Sequence, residues 1–62
     1  MRTITVEGDP ESVMVIMVPK SDNYKDHETV RIESSDEGHP YVLKNIFRVV
    51  DAGNDQWELQ FE

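Results

Sequence analysis

The feature that most constrains this chain is an alternation of side-chain character from Tyr41 to Phe61, broken once by turn residues. Tyr41, Leu43, Phe47 and Val49 fall on one face with Asn45 as its polar member, and Lys44 and Arg48 fall on the other. A period of two belongs to a half-buried strand. The run Asp51-Ala52-Gly53-Asn54-Asp55 then intervenes, after which Trp57, Leu59 and Phe61 alternate with Gln56, Glu58, Gln60 and Glu62. Two such runs joined by a glycine-containing loop predict a β-hairpin. A one-residue slip would send a whole apolar set to the wrong face, so the loop is expected to be odd. Three residues (Ala52 to Asn54) or five (Asp51 to Asp55) give the same pairing: Val49 opposite Trp57, Phe47 opposite Leu59, Asn45 opposite Phe61. On the outer face this register sets Arg48 against Glu58 and Lys44 against Glu62, opposite charges that contribute about 0.2–1 kcal/mol per pair.

Upstream, the pattern predicts further short strands. Ile4 and Val6 alternate with Thr3, Thr5 and Glu7 between Arg2 and Glu7, and Gly8-Asp9-Pro10 ends the run. Asp9-Pro10-Glu11 has the form of a helix start, with a capping acid, a proline at the first position and an acid in the first turn. A short helix over 10–18 is therefore one reading. The alternative is a strand over Val13 to Val18, because six apolar residues with four β-branched members suit a strand better. Both faces of that strand are apolar, so it is expected to be central, or to lie at an interface with another copy. Pro19 to His27 forms a long polar loop. Glu28 to Ser34 turns Val30 and Ile32 inward, and Ser35 to Pro40 is a turn. The expectation is a single all-β domain over 1–62: a small antiparallel sheet or barrel of about five short strands with a C-terminal hairpin. Barrel closure would remove exposed edges.

A chain of 62 residues sits near the lower limit for folding without staples. It has no cysteine, which excludes disulfides and cysteine zinc sites. The start Met1-Arg2-Thr3-Ile4-Thr5 does not resemble a signal peptide, and the longest apolar run, Val13 to Val18, is far short of a membrane span. These features are compatible with the cytoplasm. Thirteen carboxylates against six Lys and Arg give a net charge of −7, spread along the chain. On a globule of radius of gyration ~10–11 Å, with a Debye length of ~8 Å at physiological salt, that charge acts as a whole. It repels nucleic acid and anionic membrane and attracts basic proteins.

Catalysis fares poorly. There is no cysteine, and His27 and His39 both fall in predicted loops without a nucleophile and orienter beside them. The run Asp22-Asn23-Tyr24-Lys25-Asp26-His27-Glu28 places acids at alternate positions as a calcium loop would. The turn glycine of such a loop is replaced by His27, however. No metal and no cofactor is expected. Trp57, Phe47, Phe61 and Tyr41 could be a base-stacking platform, but stacking proteins surround their aromatics with cations. Aromatics alternating along a hairpin read as core.

The acids remain: Glu7, Asp9 and Glu11; Asp22, Asp26 and Glu28; Glu33, Asp36 and Glu37; and Asp51 and Asp55 on the last turn. Solubility alone would account for them. The sharper reading is electrostatic mimicry, in which carboxylates fixed on a sheet occupy the Arg/Lys channel of a nucleic-acid-binding protein. In length, charge and lack of catalytic residues the chain resembles, as a class, the small acidic inhibitors encoded by bacteriophages and mobile elements, including anti-CRISPR, anti-restriction and glycosylase-inhibitor proteins. No motif carries that resemblance, so it transfers no residue role. It implies a non-enzymatic inhibitor whose partner is a basic nucleic-acid-binding protein such as a CRISPR effector subunit or a restriction enzyme. The competing expectation is a structural module or homodimer that assembles through Val13 to Val18.

Overall fold

Five segments with strand propensity and a single crossover turn determine the architecture. The computed structural model describes residues Met1 to Glu62 and contains β1 (Thr3–Val6), a 3-10 turn (Pro10–Ser12), β2 (Val15–Pro19), β3 (Thr29–Ser34), β4 (Val42–Gly53) and β5 (Gln56–Phe61). The strands form one sheet in the order β1-β3-β4-β5-β2. The protein is all-β. The sheet is mixed: β1 runs parallel to β3, while β3, β4, β5 and β2 pair antiparallel in turn. It is not closed, because β1 and β2 are its two edges.

One face is buried. Val30 and Ile32 of β3, Ile46 of β4, Leu59 and Phe61 of β5 and Val18 of β2 form the core, with Ile4, Val6, Val13, Ile16, Val42, Val49 and Trp57 packed around it. The core runs unbroken across the sheet, from Val18 on the edge strand β2 to Val30 and Ile32 on β3. The 3-10 turn packs over this face with its buried Pro10. Asp9 starts this turn as the sequence predicts, its Oδ1 accepting from the Glu11 N–H at 2.9 Å. The helical signal is thus real but lasts one turn, and the β-branched run takes over from Val15. The inward sets of β1, β3 and β5 are those read from the sequence.

β4 departs from expectation. Ile46 pairs with Phe61 and Arg48 with Gln60, so Phe47 is an extra residue, a β-bulge. Before the bulge the inward residues are Val42, Lys44 and Ile46, opposite the inward Ile32 and Val30 of β3 and Phe61 of β5. After it they are Val49, opposite Leu59, and Asp51, opposite Trp57. The expected inward set Tyr41, Leu43 and Phe47 is therefore outside, each 53–55% exposed. The expected pairs of Val49 with Trp57, Phe47 with Leu59 and Asn45 with Phe61 are displaced. A second irregularity at Ala52 leaves a two-residue loop, Asn54-Asp55, in place of an odd one. Both residues have positive φ (51° and 61°), as a twist-matched hairpin turn requires, and Gly53 takes φ 77° beside them. The extra residue at Ala52 gives Arg48 to Asp51 the parity that an odd loop was expected to give, and the one at Phe47 reverses it again from Ile46 back.

Candidate functional site

Parallel pairing of β1 and β3 sends both strands out at the same end of the sheet, and the acidic segments that follow them meet there. The Gly8 N–H donates to Asp36 Oδ2 at 2.9 Å and the Ser35 N–H to Val6 O at 2.8 Å, tying the two loops together. This joins two groups that are separate in the sequence, Glu7, Asp9 and Glu11 with Glu33, Asp36 and Glu37, into one acidic corner. Asp9 and Asp36 are held by the backbone N–H groups they accept from. Glu33 is held by Arg31, whose Nη2 lies 3.2 Å from its Oε1. Glu7, Glu11 and Glu37 are exposed, and their carboxylates bond to no side chain or backbone group of the protein. A shallow concavity lined by Glu33, Ser34, His39, Pro40 and Tyr41 adjoins this corner. Arg31 stacks over the Tyr41 ring at 3.8 Å on the outer face beside it.

The other acids lie elsewhere. Glu28 takes a forked contact from Arg2 at the start of β1, with Nη2 2.7 Å from Oε1 and Nε 3.0 Å from Oε2. Arg2 in turn covers the Tyr24 ring at 3.7 Å. The hydrogen bond from Arg2, with help from the Lys25 N–H, holds the Glu28 carboxyl below the usual glutamate range, while burial pushes the Tyr24 hydroxyl up. Asp26 Oδ1 accepts from the Val49 N–H at 2.9 Å, and the His27 N–H donates to Ile46 O at 2.7 Å. Residues 26–28 thus serve the backbone groups that the β4 bulge releases, a structural task. Asp22 is exposed in the same loop. Asp51 and Asp55 sit at the hairpin tip, where Lys20 Nζ reaches Asp51 Oδ2 at 2.7 Å and lowers its pKa. The eleven acids therefore form three separate groups, of which the corner is the largest.

Two expected charge pairs on the hairpin are replaced. Arg48 lies opposite Gln60, not Glu58, and donates to its Oε1 at 3.3 Å. Lys44 points inward and donates to the carbonyls of Glu11 and Val13 at 2.7 Å each, latching the crossover turn over the core. No sequence signal distinguishes this lysine from a solvated one, because its acceptors are backbone atoms some thirty residues away.

His27 and His39 are both exposed, and no three His, Asp or Glu side chains converge to hold a metal ion. No helix is long and apolar enough to cross a membrane. The expected central position for Val13 to Val18 is overturned, since β2 is an edge strand with Met14, Val15 and Met17 exposed. Compared with known proteins, the chain matches no family model, no curated protein and no solved structure.

Proposed function

We propose that this protein works by binding, and that its acidic corner docks on the basic surface of a nucleic-acid-binding protein in the cytoplasm of a host cell. It inhibits that protein by occupying the place of DNA or RNA, in the manner of the acidic inhibitors that phages encode. A CRISPR effector or a restriction enzyme is the kind of target this chemistry fits. The observation that carries the reading is the convergence of two sequence-distant acidic runs through the β1–β3 pairing, with three carboxylates held in place and three free to meet cations. Fixed carboxylates present a pattern of charge, whereas carboxylates on mobile loops present only a quantity of it. Charge-matched association of this kind is fast at low salt and slows steeply as salt rises.

The test uses the free acids of the corner, which the fold does not need. Glu7→Gln, Glu11→Gln and Glu37→Gln combined should leave the circular dichroism spectrum unchanged. The variant should lose salt-sensitive capture of basic nucleic-acid-binding proteins from a host lysate, a capture that duplex DNA competes away from the wild type. On a purified target, the association rate should fall about tenfold or more at low salt. Capture that is unaffected by the three substitutions, or by added DNA, would overturn the proposal.

A further inference from the structure

β2 uses only one of its two rows of backbone groups. In an antiparallel ladder the N–H and C=O of one residue point the same way, and the direction alternates along the strand. The Phe61 N–H donates to Met14 O at 2.9 Å and the Lys20 N–H to Asp55 O at 3.0 Å. With Ile16 opposite Leu59 and Val18 opposite Trp57, the backbone of Met14, Ile16 and Val18 faces β5. The N–H and C=O groups of Val15 and Met17 therefore face off the free edge. The open stretch is bounded on both sides: the Val13 N–H is taken by Pro10 O at 3.3 Å, and Pro19 has no N–H to give. An exposed edge is usually guarded by charge. Here Val13 to Val18 carry none, on a chain of net charge −7, and the side chains of Val15 and Met17 are 50% and 48% exposed.

We propose that a second copy of this chain covers the edge, β2 against β2 and antiparallel, about a two-fold axis at Ile16, so that two five-stranded sheets become one. In this register Val15 of one copy and Met17 of the other form a hydrogen-bonded pair, and symmetry repeats it. Every open donor and acceptor of both edges is then used. The outer-face side chains that meet across the axis are Val15 and Met17 from each copy, with no charge among them. Beyond the strand, the register brings Lys20 of one copy toward Ser12 and Glu11 of the other, whereas parallel pairing would set Glu11 beside Glu11. The same patch meets itself, as a two-fold interface requires, and the uncharged strand is where two acidic molecules repel least. This surface meets the acidic corner only at Glu11, because the other corner acids gather at the ends of β1 and β3 and β1 is the opposite edge of the sheet.

Sedimentation equilibrium of the full chain across a concentration series should show a species of twice the 7.2 kDa single-chain mass. Met17→Pro removes a free N–H without touching a bond to β5, and should return the chain to its single mass. Two further measurements do not rely on that variant folding. Amide exchange at Val15 and Met17 of the wild type should slow by about tenfold or more between dilute and concentrated samples, with Leu59 protected in both. Ile16→Cys supplies the only cysteine, and mild oxidation should cross-link two copies, since the axis sets the two residues opposite each other at a spacing a disulfide spans. A single mass at every concentration with fast exchange at Val15 and Met17 would overturn the proposal. So would a dimer that leaves those two amides open, or one that Ile16→Cys fails to cross-link.

Discussion

At the scale of single residues, the molecule spends its few cations on fixing backbone and acids in place. Arg2 joins the start of β1 to Glu28 at the start of β3 and covers Tyr24; Lys44 holds the crossover turn; Arg31 holds Glu33. The Arg2–Glu28 contact is charge-assisted and forked, with the Glu28 side chain 24% exposed. Glu28→Gln should therefore cost about 1 kcal/mol at neutral pH, after solvent screening is allowed for. The pH dependence has a definite sign. Because the folded carboxyl titrates below its ordinary range, its contribution is intact above the ordinary glutamate value of about 4.3 and is lost as pH falls through the lowered folded value. Urea denaturation of wild type and variant should give a gap near pH 7 that narrows toward pH 3. A gap that stays constant would mean that the charge of Glu28 is not its source.

At the scale of elements, β4 decides the fold. One extra residue at Phe47 reverses which side chains face inward, so neighbours in sequence differ sharply in consequence. Ile46→Ala should cost about 2–5 kcal/mol, because Ile46 is fully buried. Phe47→Ala should change stability by no more than about 0.5 kcal/mol, because that ring is half exposed. Chemical denaturation of the two variants checks this directly, and a Phe47→Ala loss as large as that of Ile46→Ala would place the ring in the core after all. The same bulge marks the limit of what the sequence reveals. β1, β3 and β5 are short and regular, and the alternation of Ile4/Val6, Val30/Ile32 and Trp57/Leu59/Phe61 reports their faces correctly. In β4, Val42, Leu43, Ile46, Phe47, Val49 and Val50 are apolar at both parities, so the period cannot identify an inserted residue. The cue that outranked it was local: Asn54-Asp55 beside Gly53 is composition suited to a two-residue turn with positive φ. The candidate site was legible only in part. Each acidic run is plain in the sequence, but the parallel pairing that joins two of them is a long-range fact with no local signature.

At the scale of the whole molecule, a core of six buried apolar side chains must hold together a surface of net charge −7. A core this small rarely supplies more than about 3–5 kcal/mol, so self-repulsion is a material fraction of the balance. Three ion pairs oppose it, against a net excess of seven negative charges. Raising NaCl from about 0.01 M to about 0.5 M, which shortens the Debye length well below the molecular radius, should stabilise the fold by about 1 kcal/mol. That corresponds to a Tm gain of roughly 4–8 °C for a domain of this size. Thermal melts followed by circular dichroism measure it, and a fall in Tm with salt would show the ion pairs to be dominant. The order of assembly follows from the sheet. β1 pairs with no strand but β3, and β3 is synthesised only after the crossover, β2 and the long loop have emerged. The strand that emerges before the other four is thus among the last to find a seat, and until it does, the two acidic runs stay apart and the corner does not exist.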